Sequence, residues 1–374
     1  MSTVPPADAP TPEDLLPVFE VTDIRQKGDR VLYVGFPRDP PAAVESKLAP
    51  LFYEQGFEMH IQARGSDPSG EYVIVASKRS VGIDGIPWKN IALAVATVLT
   101  TLYAGTVWYH IDVAAHPLRA LQAWPFSLAI LTILGVHEFG HYITSRIHRV
   151  DASLPYFIPI PPPFGTAGAI IRMRGRMPSR KALLDIGASG PLAGIVATIV
   201  VTVIGLSLDP ITVPQSVATS DAARIEFAEP LLLRGLAWLT GQPLSYADPT
   251  KQLHPVVFAG WLGMLVTFLN LLPVGQLDGG HVLRALLGRR QETVAAAIPA
   301  VLFGFAGLLL LRNDVSIEAS IWVVWGVFTG VLAFFGPAVP MREEPLDRKR
   351  QLIGLLTFAV GALCVMPVPF RIVV

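Results

Sequence analysis

Seven apolar stretches constrain this chain more than any other feature. They run approximately over residues 89–109, 124–147, 183–207, 255–272, 292–311, 319–338 and 351–367. Their lengths, about 17–25 residues, match a hydrocarbon core about 30 Å thick. In lipid every backbone N–H and C=O needs a partner within the protein, so such stretches are expected as helices. Of the 374 residues, 52% are hydrophobic and only 16% charged, and mean hydropathy is +0.50; a soluble domain is about 25% charged. The pattern predicts an α-helical polytopic membrane protein with about seven transmembrane helices in a lipid bilayer. LLLRGLAWLTG (231–241) is too short to span and is expected as an interfacial or re-entrant helix.

Only the N-terminal part reads as soluble. Residues 1–17, with Pro5, Pro6, Pro10, Pro12 and Pro17, are expected as a disordered tail. Residues 18–85 are expected as a small α+β domain in β-α-β-β order. RVLYVGF is its first strand, PPAAVESKLAPLFYEQGF its helix, and EMHIQAR and EYVIVASK its remaining strands. The spans then divide into 86–290, which holds the motifs below, and 291–374, which adds further helices.

Charge sets orientation rather than partner. The formal net charge is zero, which favours no nucleic acid. With the N-terminus inside, seventeen Lys and Arg fall on the inner side, among them Arg146, Arg149, Arg176, Arg342 and Arg350, against five outside. The positive-inside rule therefore predicts a cytoplasmic N-terminus and an outer C-terminus. The acidic, proline-rich start MSTVPPADAPTPEDLLP lacks a basic n-region and an Arg-rich transit character. The spans are expected to direct insertion themselves, as in a multi-pass plasma (inner) membrane protein of a prokaryote. Cys364 is the single cysteine, so no internal disulfide forms.

The second stretch contains HEFGH, residues 137–141. From Trp124 to Ile143 there is no Lys, Arg or Asp, and Glu138 is the sole acid. An ionisable group at such depth costs about 2.5–3.5 kcal/mol on insertion scales and points to function. On a helix, His137 and His141 share one face at a spacing that holds one metal ion. Glu138, beside them, is placed to act as general base towards a water. A third ligand is needed, and Asp278 in NLLPVGQLDGGH (270–281) is the candidate. It is the only acid between Asp248 and Glu292, at the inner end of the fourth stretch, where Pro273 and Gly275 break the helix. Two histidines, a carboxylate and an open position fit Zn2+. The second and fourth stretches both run inward, so His141 and Asp278 reach similar depth on one side. His281 is read as a neighbour of the site, His148 as part of the basic inner cluster, and Gly190, Pro191 and Gly194 as close helix packing.

These motifs resemble the site-2 protease family of intramembrane zinc metalloproteases. HEFGH, GTAGAIIRMRG (165–175), DIGASGPLAG (185–194) and NLLPVGQLDGG occur in the family's order. With GIPWKNIALAVATVLTTLYAG they extend the resemblance over about 85–290. It implies that His137, His141 and Asp278 bind zinc and that Glu138 activates water. It further implies that Asn270 holds substrate or oxyanion, and that Gly165, Thr166 and Gly168 belong to a membrane-associated hairpin that presents the substrate strand. The implied substrate is a transmembrane segment of another membrane protein, in regulated intramembrane proteolysis. The loop from 208 to 254 is too short for the PDZ domain of many bacterial members, so the chain is similar to the PDZ-free branch with a soluble N-terminal domain.

A divalent metal transporter using the intramembrane His/Asp cluster is the alternative. It would need ligands along its depth and often internal repeats; the chain has no second intramembrane His/Glu cluster and no repeat. A catalytically dead scaffold need not keep Glu138.

Overall fold

A computed structural model describes every residue except 1–4, 65–69, 80–84, 115, 175, 219–223, 313–316, 367 and 374. The N-terminal part is a four-stranded antiparallel sheet with one helix against it. Its elements are α1 (Pro12–Leu15), β1 (Phe19–Lys27), β2 (Arg30–Pro37), α2 (Pro41–Glu54), β3 (Phe57–Ala63) and β4 (Tyr72–Lys78). The strand order is β1-β2-β4-β3, and Phe19, Tyr33, Phe52 and Ile74 are fully buried.

Two differences from the β-α-β-β reading have physical causes. FEVTDIRQK forms an additional strand, β1, in which only Phe19 and Ile24 are buried. A register shift between Val21 and Asp23 breaks the alternation that would have marked it. The proline-rich segment is also ordered from residue 5 onward. Thr11 and Asp14 close a capping box on α1, Leu15 is fully buried, and the Tyr33 hydroxyl donates to the Pro10 carbonyl at 2.7 Å. Prolines stiffen this segment, and its few apolar side chains find places on the sheet.

The remaining α-helices are α3 (Trp88–Trp108), α4 (Trp124–Ile147), α5 (Arg180–Ser207), α6 (Gln215–Ala218), α7 (Leu231–Thr240), α8 (Pro255–Asn270), α9 (Asp278–Leu287), α10 (Gln291–Arg312), α11 (Ile317–Phe335) and α12 (Arg348–Leu363). Short strands lie between them: β5 (Asp151–Ala152), β6 (Tyr156–Pro159), β7 (Thr166–Ile170), β8 (Met173–Arg174), β9 (Ile211–Thr212), β10 (Arg224–Phe227), β11 (Lys251–Gln252) and β12 (Phe370–Val373). Among the described residues, four apolar units are long enough to cross a membrane: Trp88–Trp108, Pro117–Ile147, Arg180–Ser207 and Asp278–Leu311.

α4, α5 and α8 form the centre, and small residues bring them together. Thr198 and Thr202 on α5 face Gly263 and Gly260 on α8. A methyl at Gly260 would lie 2.1 Å from Thr202 Oγ1. Lipid offers no hydrophobic force between helices, so this close approach is what holds them. The buried threonine hydroxyls donate to carbonyls one turn back, Thr198 to Gly194 at 2.9 Å and Thr202 to Thr198 at 2.7 Å. α3 joins through Thr101 Oγ1 and Ser127 Oγ, 2.7 Å apart.

The two ends of this bundle carry different partners. At one end the N-terminal sheet domain docks on the loops between helices. Tyr53 and Arg79 both donate to the Arg149 carbonyl, at 3.2 and 3.1 Å, while Glu45 pairs with Arg176 and Glu54 with Arg342. At the other end β9 pairs with β11 and β10 with the C-terminal β12, and His110 meets Gln252 at 3.1 Å.

Candidate metal centre

α4 delivers His137 and His141 one turn apart, as its HEFGH spacing requires. Pro125 in its first turn leaves no interior hydrogen bond unmade. Asp278 arrives from the chain break after α8. Leu271 to Leu277 turn sharply, with Gly275 at φ +50, and α9 starts at Asp278 itself. The break is close-packed: a methyl on Gly279 would lie 2.3 Å from the Leu271 carbonyl oxygen, and one on Gly280 2.3 Å from that of Gly275.

The three side chains converge. His137 Nε2 lies 3.2 Å from Asp278 Oδ2, His141 Nε2 lies 3.2 Å from Asp278 Oδ1, and the two Nε2 atoms are 3.2 Å apart. Among the described residues this is the one His/Cys/Asp/Glu group whose ligand atoms cluster within reach of a single ion. Donors about 2.0–2.2 Å from a tetrahedral ion stand about 3.3–3.6 Å from one another, so two imidazole nitrogens and a carboxylate close to this spacing fit zinc. His137 and Glu138 are buried, and His141 and Asp278 are nearly so.

The imidazoles are oriented from α5. His141 Nδ1 lies 2.8 Å from the Ile186 carbonyl oxygen, a donation that leaves Nε2 as the free lone pair. Gly190 and Gly194, one turn apart, back onto the two rings. A methyl on Gly190 would lie 2.1 Å from His141 Nε2, and one on Gly194 2.9 Å from His137 Nδ1. Sequence reasoning read these glycines as helix packing; the packing is against the histidines themselves. Their spacing of four, equal to that of His137 and His141, was the available signal.

The other expected residues surround this centre. Asn270 Nδ2 lies 3.4 Å from His137 Nε2. His281 is buried against Gly187 and outside the converging trio; its Nδ1 has no hydrogen-bond partner among the described residues. Gly165, Thr166 and Gly168 lie on the β6–β7 hairpin. Gly165 (φ +78) accepts from Thr100 Oγ1 at 2.6 Å, Thr166 Oγ1 donates to Ile158 O at 3.1 Å, and Gly168 takes φ +102. β7 pairs with β6 alone, so its other edge carries no strand among the described residues. A cavity of about 270 Å³ lies between hairpin and helices, lined by Ile133, Leu134, Phe164, Leu265, Leu269 and Trp325 among others. Leu134 is one turn before His137 and Leu269 adjoins Asn270, so chain neighbours of the donor trio, and not the trio itself, line the cavity.

Helical bundle and donor set define a polytopic membrane protein of the HExxH metal-site class. A family model described as Peptidase family M50 matches residues 125–311, α4 through α10. The chain belongs to that family, the site-2 proteases, as the motifs implied. Its relatives include the probable zinc metalloprotease EGY2, chloroplastic, of rice (Oryza sativa subsp. indica), 33% identical over 65% of this chain and 42% of the relative. The Arabidopsis thaliana protein of the same name is 31% identical over 66% and 42%. The Arabidopsis probable zinc metallopeptidase EGY3, chloroplastic, is 25% identical over 92% and 62%. The chain thus matches about two fifths of the length of the EGY2 relatives. No solved structure matches it.

Proposed function

We propose that this chain is an intramembrane zinc metalloprotease that hydrolyses peptide bonds within or next to transmembrane segments of other membrane proteins. The observation that carries the proposal is the convergence of His137 Nε2, His141 Nε2 and the Asp278 carboxylate at 3.2 Å, with the buried Glu138 beside them.

His137, His141 and Asp278 would hold the metal, and zinc supplies Lewis acidity towards a carbonyl and acidifies water. Glu138 takes the proton of the attacking water on its carboxylate and returns it to the leaving amide nitrogen. Asn270 donates from Nδ2 to the oxygen on which charge develops, while Ile186 keeps His141 in the ligating tautomer. A membrane helix hides its carbonyls in its own hydrogen bonds, so the scissile segment must unwind. The open edge of β7 offers backbone partners to the unwound strand, with Gly165, Thr166 and Gly168 shaping that edge. The apolar cavity alongside suits side chains that come out of a bilayer.

Seven crossings belong to the same proposal. The N-terminal domain touches Arg149, Arg176 and Arg342, all on the basic side, whereas β12 pairs with β10 on the other. A chain that holds these contacts passes through the bilayer at α12, and α10 and α11 form a hairpin that returns it. We assign the N-terminus to the inner side of the membrane on the charge count; the relatives' names place them in chloroplasts.

The test is cleavage of a tagged single-span reporter by wild type and by Glu138→Gln, with bound zinc measured on both. Cleavage by wild type alone, with about one zinc on each, is the expected result. Equal behaviour of the two across a panel of spans, with metal crossing the membrane when the protein is present, would overturn it in favour of a transporter.

A further inference from the structure

The last helix lies outside the segment that the family model matches, yet it reaches the metal centre through one carboxylate. Asp185 sits on α5 immediately before Ile186, whose carbonyl holds His141 Nδ1. The Arg350 guanidinium, at the start of α12, grips Asp185 with two nitrogens: Nε at 2.9 Å from Oδ1 and NH2 at 2.7 Å from Oδ2. His148 Nε2 lies 3.0 Å from the same Oδ2. His148 is two turns beyond His141, on the same face of α4 and just past the helix end. The third guanidinium nitrogen, NH1, donates to Asp347 Oδ2 at 2.7 Å. Asp347 in turn caps α12 by accepting from the Arg350 backbone N–H at 3.0 Å.

One carboxylate therefore ties together three helices, α4, α5 and α12. The group is partly shielded, with Asp185 19% and Arg350 31% exposed. A bidentate guanidinium–carboxylate pair so placed fixes direction as well as distance, unlike an exposed surface pair. The register of α5 against α4 leaves little slack. Gly190 backs so closely on the His141 ring that sliding α5 one way drives backbone into Nε2, and sliding it the other way breaks the bond to Ile186. α12 also leans on α9, the helix that begins with Asp278: a methyl on Gly354 would lie 3.0 Å from Leu286 and 3.2 Å from Leu184.

We propose that Arg350, Asp185 and His148 form a positioning clamp through which α12 sets the register of α5 and so aims His141 at the metal. This rests on the zinc site proposed above. The clamp touches neither substrate nor metal, so its loss is expected to weaken zinc binding rather than to abolish folding.

The experiment uses the full chain in detergent. Zinc affinity is measured by chelator competition for wild type, Arg350→Ala, Arg350→Lys and His148→Ala, with thermal unfolding of each protein after zinc removal. Arg350→Ala is expected to bind zinc on the order of 10–100-fold more weakly, the usual loss when support behind a metal ligand is removed. Arg350→Lys, which keeps the charge but offers a single point of contact in place of the two-nitrogen grip, is expected to recover part of the affinity. Zinc binding by Arg350→Ala within twofold of wild type overturns the clamp. So does a weakening that Arg350→Lys does not relieve and that parallels a drop in the unfolding temperature of the zinc-free protein, for that is general destabilisation. If Arg350→Ala does not fold, His148→Ala decides, because Arg350 still holds Asp185: weaker zinc supports the clamp and unchanged zinc overturns it. Wild type that takes up no zinc would instead overturn the metal site itself.

Discussion

Gly190 is where a single methyl group has the clearest consequence. Its added Cβ would lie 2.1 Å from His141 Nε2, and α5 backbone, rather than a flexible side chain, stands behind it. Overpacking of this kind typically costs about 1–3 kcal/mol, and here the strain falls on the His141 ring. Gly190→Ala is expected to lose zinc, with an affinity at least about tenfold weaker. Gly135→Ala on α4, whose Cβ would meet nothing within 4 Å, is the control and is expected to bind as wild type does; equal affinity of both variants would refute the argument. Glu138→Gln is the complementary case, since it keeps shape and loses the carboxylate. Cleavage is expected to fall by at least about 100-fold with zinc content unchanged, as read by metal analysis beside the reporter assay. The trio His137, His141 and Asp278 was legible in the sequence because each is an ionisable group isolated in apolar surroundings. Asp185 was not, because an acid near the basic inner edge looks like an ordinary interfacial charge until Arg350, far along the chain, is seen to grip it.

Among the elements, long helices announce themselves by apolar length, and α3, α4 and α5 lie close to where that length puts them. Short or bulged strands do not. β1 buries only Phe19 and Ile24 around its bulge, and β6 and β7, of four and five residues, are each too short to show an alternation. The hairpin they form nevertheless depends on two left-handed glycines. Gly168 takes φ +102 with open space where a Cβ would go, so Gly168→Ala tests backbone strain without steric contact. Such a conformation costs an L residue about 1–3 kcal/mol, which the hairpin relieves by moving. Cleavage by this variant is expected to fall about tenfold through a raised KM, with zinc affinity within twofold of wild type measured by the same chelator competition. A variant that cleaves normally would remove β7 from the substrate's path.

At the scale of the whole molecule, the two ends of the bundle carry the argument about sidedness. Among the described residues, the loops that touch the N-terminal domain carry Arg149, Arg176 and Arg342, and the segments that pair as β9–β11 and β10–β12 lie at the other end of the bundle. The backbone pairings β9–β11 and β10–β12 add an observation that the charge count does not contain, whereas the domain contacts of Arg149, Arg176 and Arg342 share their residues with it. The α12 helix itself is about 24 Å long at 1.5 Å per residue, short for a span. It connects Arg342, on the domain side, to Phe370, which pairs with Phe227 on the far side, so the chain between them must cover the difference. Single cysteines read this out directly, because the native Cys364 is buried. Lys27→Cys lies exposed on the sheet domain and Gln242→Cys lies exposed beyond α7. In intact cells, a membrane-impermeant maleimide is expected to label Gln242→Cys and to spare Lys27→Cys until the membrane is opened. Labelling of both in intact cells would put the two ends on one side and dissolve the seven-span arrangement. The reverse pattern would keep the spans and turn the protein over, moving the Asp278 end of the metal centre to the outer face.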